Sequence, residues 1–216
     1  MDIDKTPNPA DAPSTQAPRQ LVCLETYWGD HNGRMFQDTS VLPFLQALAG
    51  RLDPPVALAH RHVESLAHLA QYTAHPDGIL WRDPETFDVP VFYLSFHGSP
   101  GTLKSAMERL EPAMVVNAFR NWGRNYPNLV YFSACSVLAG EEGRSFAQAF
   151  LAESGCRAVL GYATDVDWTE SMLIDLLFLN RFYRDPDPWA NLEAIHASVL
   201  EDFTPARRLG FELHRP

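Results

Sequence analysis

Continuous apolar runs alternate along the chain with stretches in which apolar residues recur at helical spacing. Apolar runs bounded by turn residues are typical of strands buried on both faces of a parallel sheet. Such runs predict strands at about residues 21–27, 56–63, 89–97, 128–135 and 156–164. Helices are predicted at about residues 41–52, 66–72, 145–155, 170–183 and 189–201, with a crossover helix within 102–126 and an edge strand at 207–214. The alternation predicts a doubly wound, mostly parallel α/β sheet of about six strands, with helices on both faces.

The start of the chain differs in composition from the rest. Prolines are frequent among small and polar residues over positions 1–19, so this segment has little apolar surface to bury. Segments of this kind are expected to stay disordered. A chain of 216 residues is long enough for one well-buried α/β domain and short for two. We therefore expect a proline-rich disordered tail over residues 1–19 and a single domain over residues 20–216.

Charge and cysteine content narrow the functional class. A net charge of −10 argues against nucleic acid as the main partner, because phosphate binding needs a basic surface. No apolar run approaches the roughly 20 residues of a membrane span, and the N-terminus lacks the apolar core of a secretory signal. The three cysteines show no metal-type pairing and do not describe a disulfide scaffold. We therefore expect a cytoplasmic protein that binds neither membranes nor nucleic acid.

Two of the predicted strands stop at chemically competent side chains. The run VPVFYLSFHG ends at His97 and Gly98, and the run NLVYFSACS ends at Cys135 with small residues on either side. Ligand sites of parallel sheets open at the carboxyl ends of the strands, and neighbouring strands lie about 4.8 Å apart. Both side chains would then emerge together on one rim. A thiol beside an imidazole predicts a cysteine hydrolase.

A longer pattern surrounds these two strand ends. The chain contains FHG at residues 96–98, SAC at 133–135, SGCRAVLGYATDVDW at 154–168 and FLNRFY at 178–183. In order and spacing these segments resemble the caspase-like cysteine proteases of the CHAT type, over about residues 88–200. The resemblance implies a caspase-like fold and peptidase activity without a cofactor. One departure is that many relatives carry an aromatic residue where Ala163 or Thr164 stands, which affects the predicted wall of the substrate pocket.

The resemblance also implies roles for individual residues. Cys135 would be the nucleophile and His97 its general acid and base, as a catalytic dyad. The backbone N–H groups of Gly98 and Cys135 would form the oxyanion hole, and a glycine lets the backbone approach a substrate closely. Cys23, in the middle of a predicted strand, and Cys156, behind a predicted helix cap, are interpreted as packing residues.

Two aspartates follow the fifth predicted strand, and each has two interpretations. Asp165 and Asp167 could bind a basic P1 side chain, as in several caspase-like proteases. Alternatively, Asp167 stands three residues before Glu170, which is a capping-box arrangement at a helix start. The two interpretations are compatible if the aspartates divide the roles, with Asp165 in the pocket.

A histidine cluster raises the question of a metal site. His60 and His62 share one face of the second predicted strand, and His68 and His75 follow. The sequence offers no nearby Cys, Asp or Glu that convincingly completes a ligand set. We therefore predict no metal site.

The predicted partners follow from the proposed class. The substrate would be a protein, and a chain this small would take its regulation from a separate regulatory or target protein. Bacterial caspase-like proteases often occur in defence operons, which suggests an antiviral defence role by analogy. The main alternative is a catalytically inactive caspase-like module that binds or scaffolds. A second is another α/β enzyme using the same rim, such as an acyl transferase or a nucleotide-binding protein, although no glycine-rich turn follows the first strand.

Overall fold

The computed structural model describes residues 20–27, 40–82, 90–122 and 128–216. The strands in these ranges are β1 Gln20–Glu25, β2 Ala57–His62, β3 Val91–Ser95, β4 His97–Ser99, β5 Thr102–Lys104, β6 Arg109–Leu110, β7 Leu129–Ser133, β8 Ala158–Tyr162 and β9 Phe211–His214. The helices are α1 Leu42–Arg51, α2 Leu66–Thr73, α3 Ile79–Arg82, α4 Pro112–Ala118, α5 Gly140–Ser154, α6 Trp168–Arg184, α7 Leu192–Asp202 and α8 Thr204–Arg208. The tail predicted to be disordered, residues 1–19, lies outside the described residues.

Six strands form the main sheet, in the order β2-β1-β3-β7-β8-β9. The first five are parallel, and β9 runs antiparallel to β8 at the edge. The predicted mostly parallel sheet with a sixth edge strand is therefore confirmed. Chain order reverses beside β1, because β2 lies on one side of it and β3 on the other. Such a switch point opens a crevice at the carboxyl ends of the strands, where sites of α/β proteins are usually found.

Both faces of the main sheet are covered at its centre, which explains why β1, β3, β7 and β8 are almost continuous apolar runs. On one face, side chains such as Phe92 and Phe132 pack with Phe150 of α5. On the other face, Tyr93 and Tyr131 pack in a second core with helices α1, α6 and α7. Pro43 lies in the first turn of α1, and Gly155 in the left-handed conformation ends α5, as their sequence positions predict. No helix in the described part of the chain is long and apolar enough to cross a lipid bilayer.

The segment after β3 differs from its prediction. One strand was expected to end at His97, but β3 ends at Ser95 and His97 begins β4. Strands β4, β5 and β6 form a separate antiparallel sheet. The reason is the turn at Pro100 and Gly101, where Gly101 has a φ of +66° and Ser99 pairs with Thr102. Part of the expected crossover helix is therefore strand, and α4 is shorter than predicted.

Candidate active site

The register of the sheet brings the two predicted catalytic residues to equivalent places. Ser95, the last residue of β3, pairs with Ser133, the last residue of β7. His97 and Cys135 each follow two residues later, beyond the strand end. The prediction that Cys135 ends its strand is wrong by two residues, because the chain turns after Ser133. Both residues nonetheless leave neighbouring strands at the same rim.

Direct backbone contact joins the segments that carry these residues. A Cβ atom added to Gly98 would lie 2.2 Å from the carbonyl oxygen of Cys135 and 3.0 Å from Cβ of Ala134. Real Cβ atoms essentially never come that close to another heavy atom, so only glycine fits here. The close packing of Gly98 on Cys135 therefore places the His97 backbone beside the cysteine. The His97 residue is exposed to solvent, and Cys135 is half-buried.

The sulfur of Cys135 has a polar neighbour on the far side of the rim. The backbone N–H of Val166 donates to Cys135 Sγ, with a nitrogen–sulfur distance of 3.5 Å. The carbonyl oxygen of Val166 accepts from the Cys135 thiol, with a sulfur–oxygen distance of 3.9 Å. The other two cysteines, Cys23 and Cys156, are buried. Burial raises the pKa of Cys156 to about 11, and burial, assisted by Glu25, raises the pKa of Cys23 well above its usual value.

The turn after Cys135 is held in an uncommon backbone conformation. Ser136 has a φ of +51°, which non-glycine residues rarely adopt. Its N–H donates to the carbonyl of Thr164 at 2.8 Å, and its hydroxyl donates to the carboxylate of Asp165 at 2.6 Å. These bonds fix the turn after Cys135 against the chain that leaves β8. Local strain of this kind is commonly found at functional sites.

The two predicted substrate-binding aspartates have different partners. The carboxylate of Asp167 accepts from the N–H groups of Thr169 and Glu170, at 2.9 and 3.0 Å, and caps α6. The capping interpretation of Asp167 is therefore confirmed. Asp165 is exposed and accepts the Ser136 hydroxyl, so its carboxylate lies close to the turn that follows Cys135.

A small cavity of about 60 Å³ opens beside Cys135. Apolar side chains and hydroxyl groups line it: Val41, Ser95, Ser133, Ala134, Cys135, Val166, Trp168, Ser171 and Met172. Asp165 and Asp167 are not among these residues. Two buried polar atoms of the lining residues, Oγ of Ser95 and Nε1 of Trp168, have no hydrogen-bond partner among the described residues. Since buried polar groups are usually satisfied, the cavity is suited to a ligand that carries a polar group.

A buried carboxylate lies behind the cavity wall, and the sequence analysis missed it. Asp175 of α6 is fully buried and accepts from the Ser133 hydroxyl at 2.7 Å. It also accepts from the hydroxyls of Tyr93, Tyr131 and Tyr162, one from each of strands β3, β7 and β8. Burial raises the pKa of Asp175, and the four hydroxyl donors act against that rise. The sequence held one signal of this buried carboxylate: Asp175 stands among the apolar residues of a predicted helix.

The histidines that were considered as metal ligands are only partly brought together. His60 and His62 lie close to Glu25, with one potential ligand atom of each residue within 4.8 Å of the others. His68 and His75 are not part of this group. The expectation that no acidic residue completes the set is therefore wrong, because Glu25 comes from the neighbouring strand.

Comparison with known proteins gives a structural match and no sequence match. No family model matches the chain, and no curated protein matches it. The fold is similar to the crystal structure of caspase-1 from Spodoptera frugiperda, with a TM-score of 0.52 and 11% sequence identity. The alignment covers 99% of this chain and 94% of that chain. At this identity the similarity establishes a caspase-like α/β fold.

Proposed function

We propose that the protein is a cysteine endopeptidase of the caspase-like CHAT type, with Cys135 and His97 as its catalytic dyad. The observation that carries this proposal is the contact of Gly98 with Cys135, at the ends of two adjacent parallel strands. It brings a His-Gly pair against a half-buried cysteine on the rim where α/β proteins act. The caspase-like fold supports the same assignment.

The reaction would proceed by acyl transfer. The Cys135 thiolate attacks the scissile carbonyl carbon and forms a C–S bond, while the N–H groups of Gly98 and Cys135 stabilise the oxyanion. The protonated His97 gives its proton to the leaving amine as the C–N bond breaks, which leaves a thioester. Neutral His97 then takes a proton from water, and the resulting hydroxide attacks the thioester. Collapse of this intermediate releases the carboxylic acid and regenerates the thiolate and the imidazolium.

For P1, the substrate residue before the cleaved bond, we propose two alternative types of side chain. A basic P1 side chain that lies along the rim would be received by Asp165, because this carboxylate lies next to the Cys135 turn. A side chain that enters the cavity would instead be short and uncharged, and it would pair with Ser95 and Trp168. A peptide library that varies only P1 separates the two forms. The library also identifies peptides suitable for the variant tests.

The natural substrate is proposed to be a protein, with a separate protein as regulator or target. From the resemblance to bacterial caspase-like proteases, we also propose that the enzyme acts in a bacterial defence pathway. The rival proposal is a caspase-like binding module without catalysis, which retains the fold and uses the rim as an interface. Activity on the P1 library decides between the enzyme and the module.

The dyad is tested with Cys135→Ala and His97→Ala. Each variant should lose at least about 1,000-fold in kcat/KM and keep the wild-type thermal midpoint, because neither side chain is a core anchor. His68→Ala is the matched control, since His68 is an exposed histidine on α2 and does not line the cavity beside Cys135. Wild-type activity in either dyad variant would overturn the assignment. Inactivity of the wild type on the whole library would favour the binding module.

A further inference from the structure

Three potential metal ligands meet at the carboxyl ends of β1 and β2. The parallel register pairs Cys23 with His60 and Glu25 with His62, so Glu25, His60 and His62 lie on one face of the two strands. One ligand atom from each lies within 4.8 Å of the others. We propose that these three residues form a binding site for a divalent transition-metal ion of the zinc class.

The donor set suits this class of ion. Two imidazole nitrogens and one carboxylate oxygen form a common zinc ligand set, and the fourth, open position takes water. With bonds of about 2.0–2.1 Å, tetrahedral ligand atoms lie about 3.3 Å apart. His60 Nε2 and Glu25 Oε2 are 2.7 Å apart and share a hydrogen bond. A metal ion would replace that shared proton, and the pair would separate by about 0.6 Å to reach the tetrahedral spacing.

The carboxylate is held in place before any ion binds. Glu25 is fully buried, its Oε1 accepts the N–H of Val41 at 2.8 Å, and its Oε2 accepts the hydroxyl of Ser40 at 2.7 Å. Outer hydrogen bonds of this kind orient metal ligands and are a regular part of metal sites. Glu25, at the end of β1, is therefore oriented by the residues that precede α1, as a metal ligand requires.

The two histidines provide a fixed ligand and an accessible one. The side chain of His60 is only 10% exposed, whereas the residue His62 is exposed, so an ion can approach from the His62 side. Among the described residues the imidazole of His62 has no hydrogen bond, and it contacts the His60 ring edge-on, with centroids 4.9 Å apart. Arg61, the nearest cation along the strand, is directed to the carbonyl of His60 by a hydrogen bond of 2.7 Å.

The competing explanation is a structural Glu25–His60 pair in which His62 has no role. The two explanations differ at His62, because only metal binding needs its nitrogen. His60→Ala is a poor first test, since it removes a partner of a buried carboxylate and can unfold the region. The exposed His62 avoids this problem, and His62→Ala is therefore the decisive variant.

The experiment measures zinc binding in the Cys135→Ala protein. This background removes the half-buried thiol, which is another potential zinc ligand, and it also makes the result independent of the proposed peptidase activity. Calorimetric titration at pH 7.5 should show one zinc ion per chain, and the thermal midpoint should rise with the logarithm of free zinc. Adding His62→Ala should weaken binding at least about 10-fold, and adding His68→Ala should not change it. Co²⁺ in place of zinc should give the visible absorption of a four-coordinate site, lost in His62→Ala.

Two results would overturn the proposal. One is the absence of stoichiometric zinc binding in the Cys135→Ala protein at pH 7.5. The other is equal zinc affinity in the His62→Ala and His68→Ala proteins, which would assign any bound ion to other residues. Neither result bears on the Cys135 dyad, whose test is peptide cleavage.

Discussion

Gly98 lies directly on the backbone of Cys135, and a methyl group at residue 98 would meet the Cys135 carbonyl oxygen at 2.2 Å. The contact is between two backbones, neither of which can move aside as a flexible side chain would. The segment that carries His97 and the turn that carries the candidate nucleophile are therefore fitted to each other. The separation of the two residues depends on the absence of a Cβ atom.

Gly98→Ala should therefore reduce peptide cleavage by at least about 100-fold, because β4 must shift away from Cys135, and misplacement by about 1 Å costs that much. The thermal midpoint should also fall. Gly50→Ala is the matched control: it lies in α1 with nothing within 4 Å of the added Cβ, and alanine favours a helix by up to about 1 kcal/mol. Activity of Gly98→Ala equal to that of Gly50→Ala would show that the contact does not position the dyad.

Alkylation should distinguish the three cysteines in the native protein. Iodoacetamide at pH 7 should modify Cys135 first, because it is half-buried and receives the Val166 N–H. Cys156 should react far more slowly, since it is buried and burial raises its pKa to about 11. Mass spectrometry of tryptic peptides over time gives the three rates, and all three should become similar in denaturant. Native Cys156 reacting as fast as Cys135 would contradict this expectation.

The two rim aspartates should give different phenotypes. Asp167→Ala should lower stability by about 1 kcal/mol, because the α6 cap is lost, with little change in P1 preference. Asp165→Asn should keep stability and, if P1 is basic, lower cleavage after Arg by about 10–100-fold, the value of a charge-assisted hydrogen bond. Chemical denaturation and the P1 library measure the two effects. Full cleavage after Arg in Asp165→Asn would remove Asp165 from the substrate site.

Asp175 should make stability depend on pH in a direction opposite to that of most carboxylates. Because burial raises the folded-state pKa of Asp175, the folded protein binds its proton more tightly than the unfolded chain does. The stability contributed by this group is therefore present below the unfolded pKa, and it falls as pH rises towards the folded pKa. Asp175→Asn cannot titrate, so its stability relative to wild type should increase as pH rises from about 4. Urea denaturation of both proteins across pH measures the difference, and a constant difference would contradict the expected shift.

Apolar runs were sufficient to predict the main sheet, including the edge strand now seen as β9. They were also sufficient to predict that His97 and Cys135 leave adjacent strands at one rim. Each of these features depends on local pattern and on the rules of parallel sheets. The strands β4 to β6 were missed because they have only two or three residues, too few for a periodic signal.

Side-chain contacts between segments far apart in the chain could not be predicted from apolar runs. Glu25 meets His60 because β1 and β2 pair in one register, and a slip by one residue would turn the glutamate to the other face. The hydroxyl cluster around Asp175 likewise joins three strands to a helix that follows them in the chain. Neither arrangement has a local sequence pattern, since each depends on how the completed sheet is assembled.

The carboxylate of Asp175 links neighbouring strands of the sheet through hydrogen bonds. It is bonded to Tyr93 of β3 and to Ser133 of β7, the strands that precede His97 and Cys135. Sliding of one strand past the other would break hydrogen bonds to a fully buried carboxylate, and lost hydrogen bonds are costly there. The rim is therefore stiff at its base. For the proposed peptidase this means that substrate access would be controlled by the segments above the sheet and not by movement of β3 against β7.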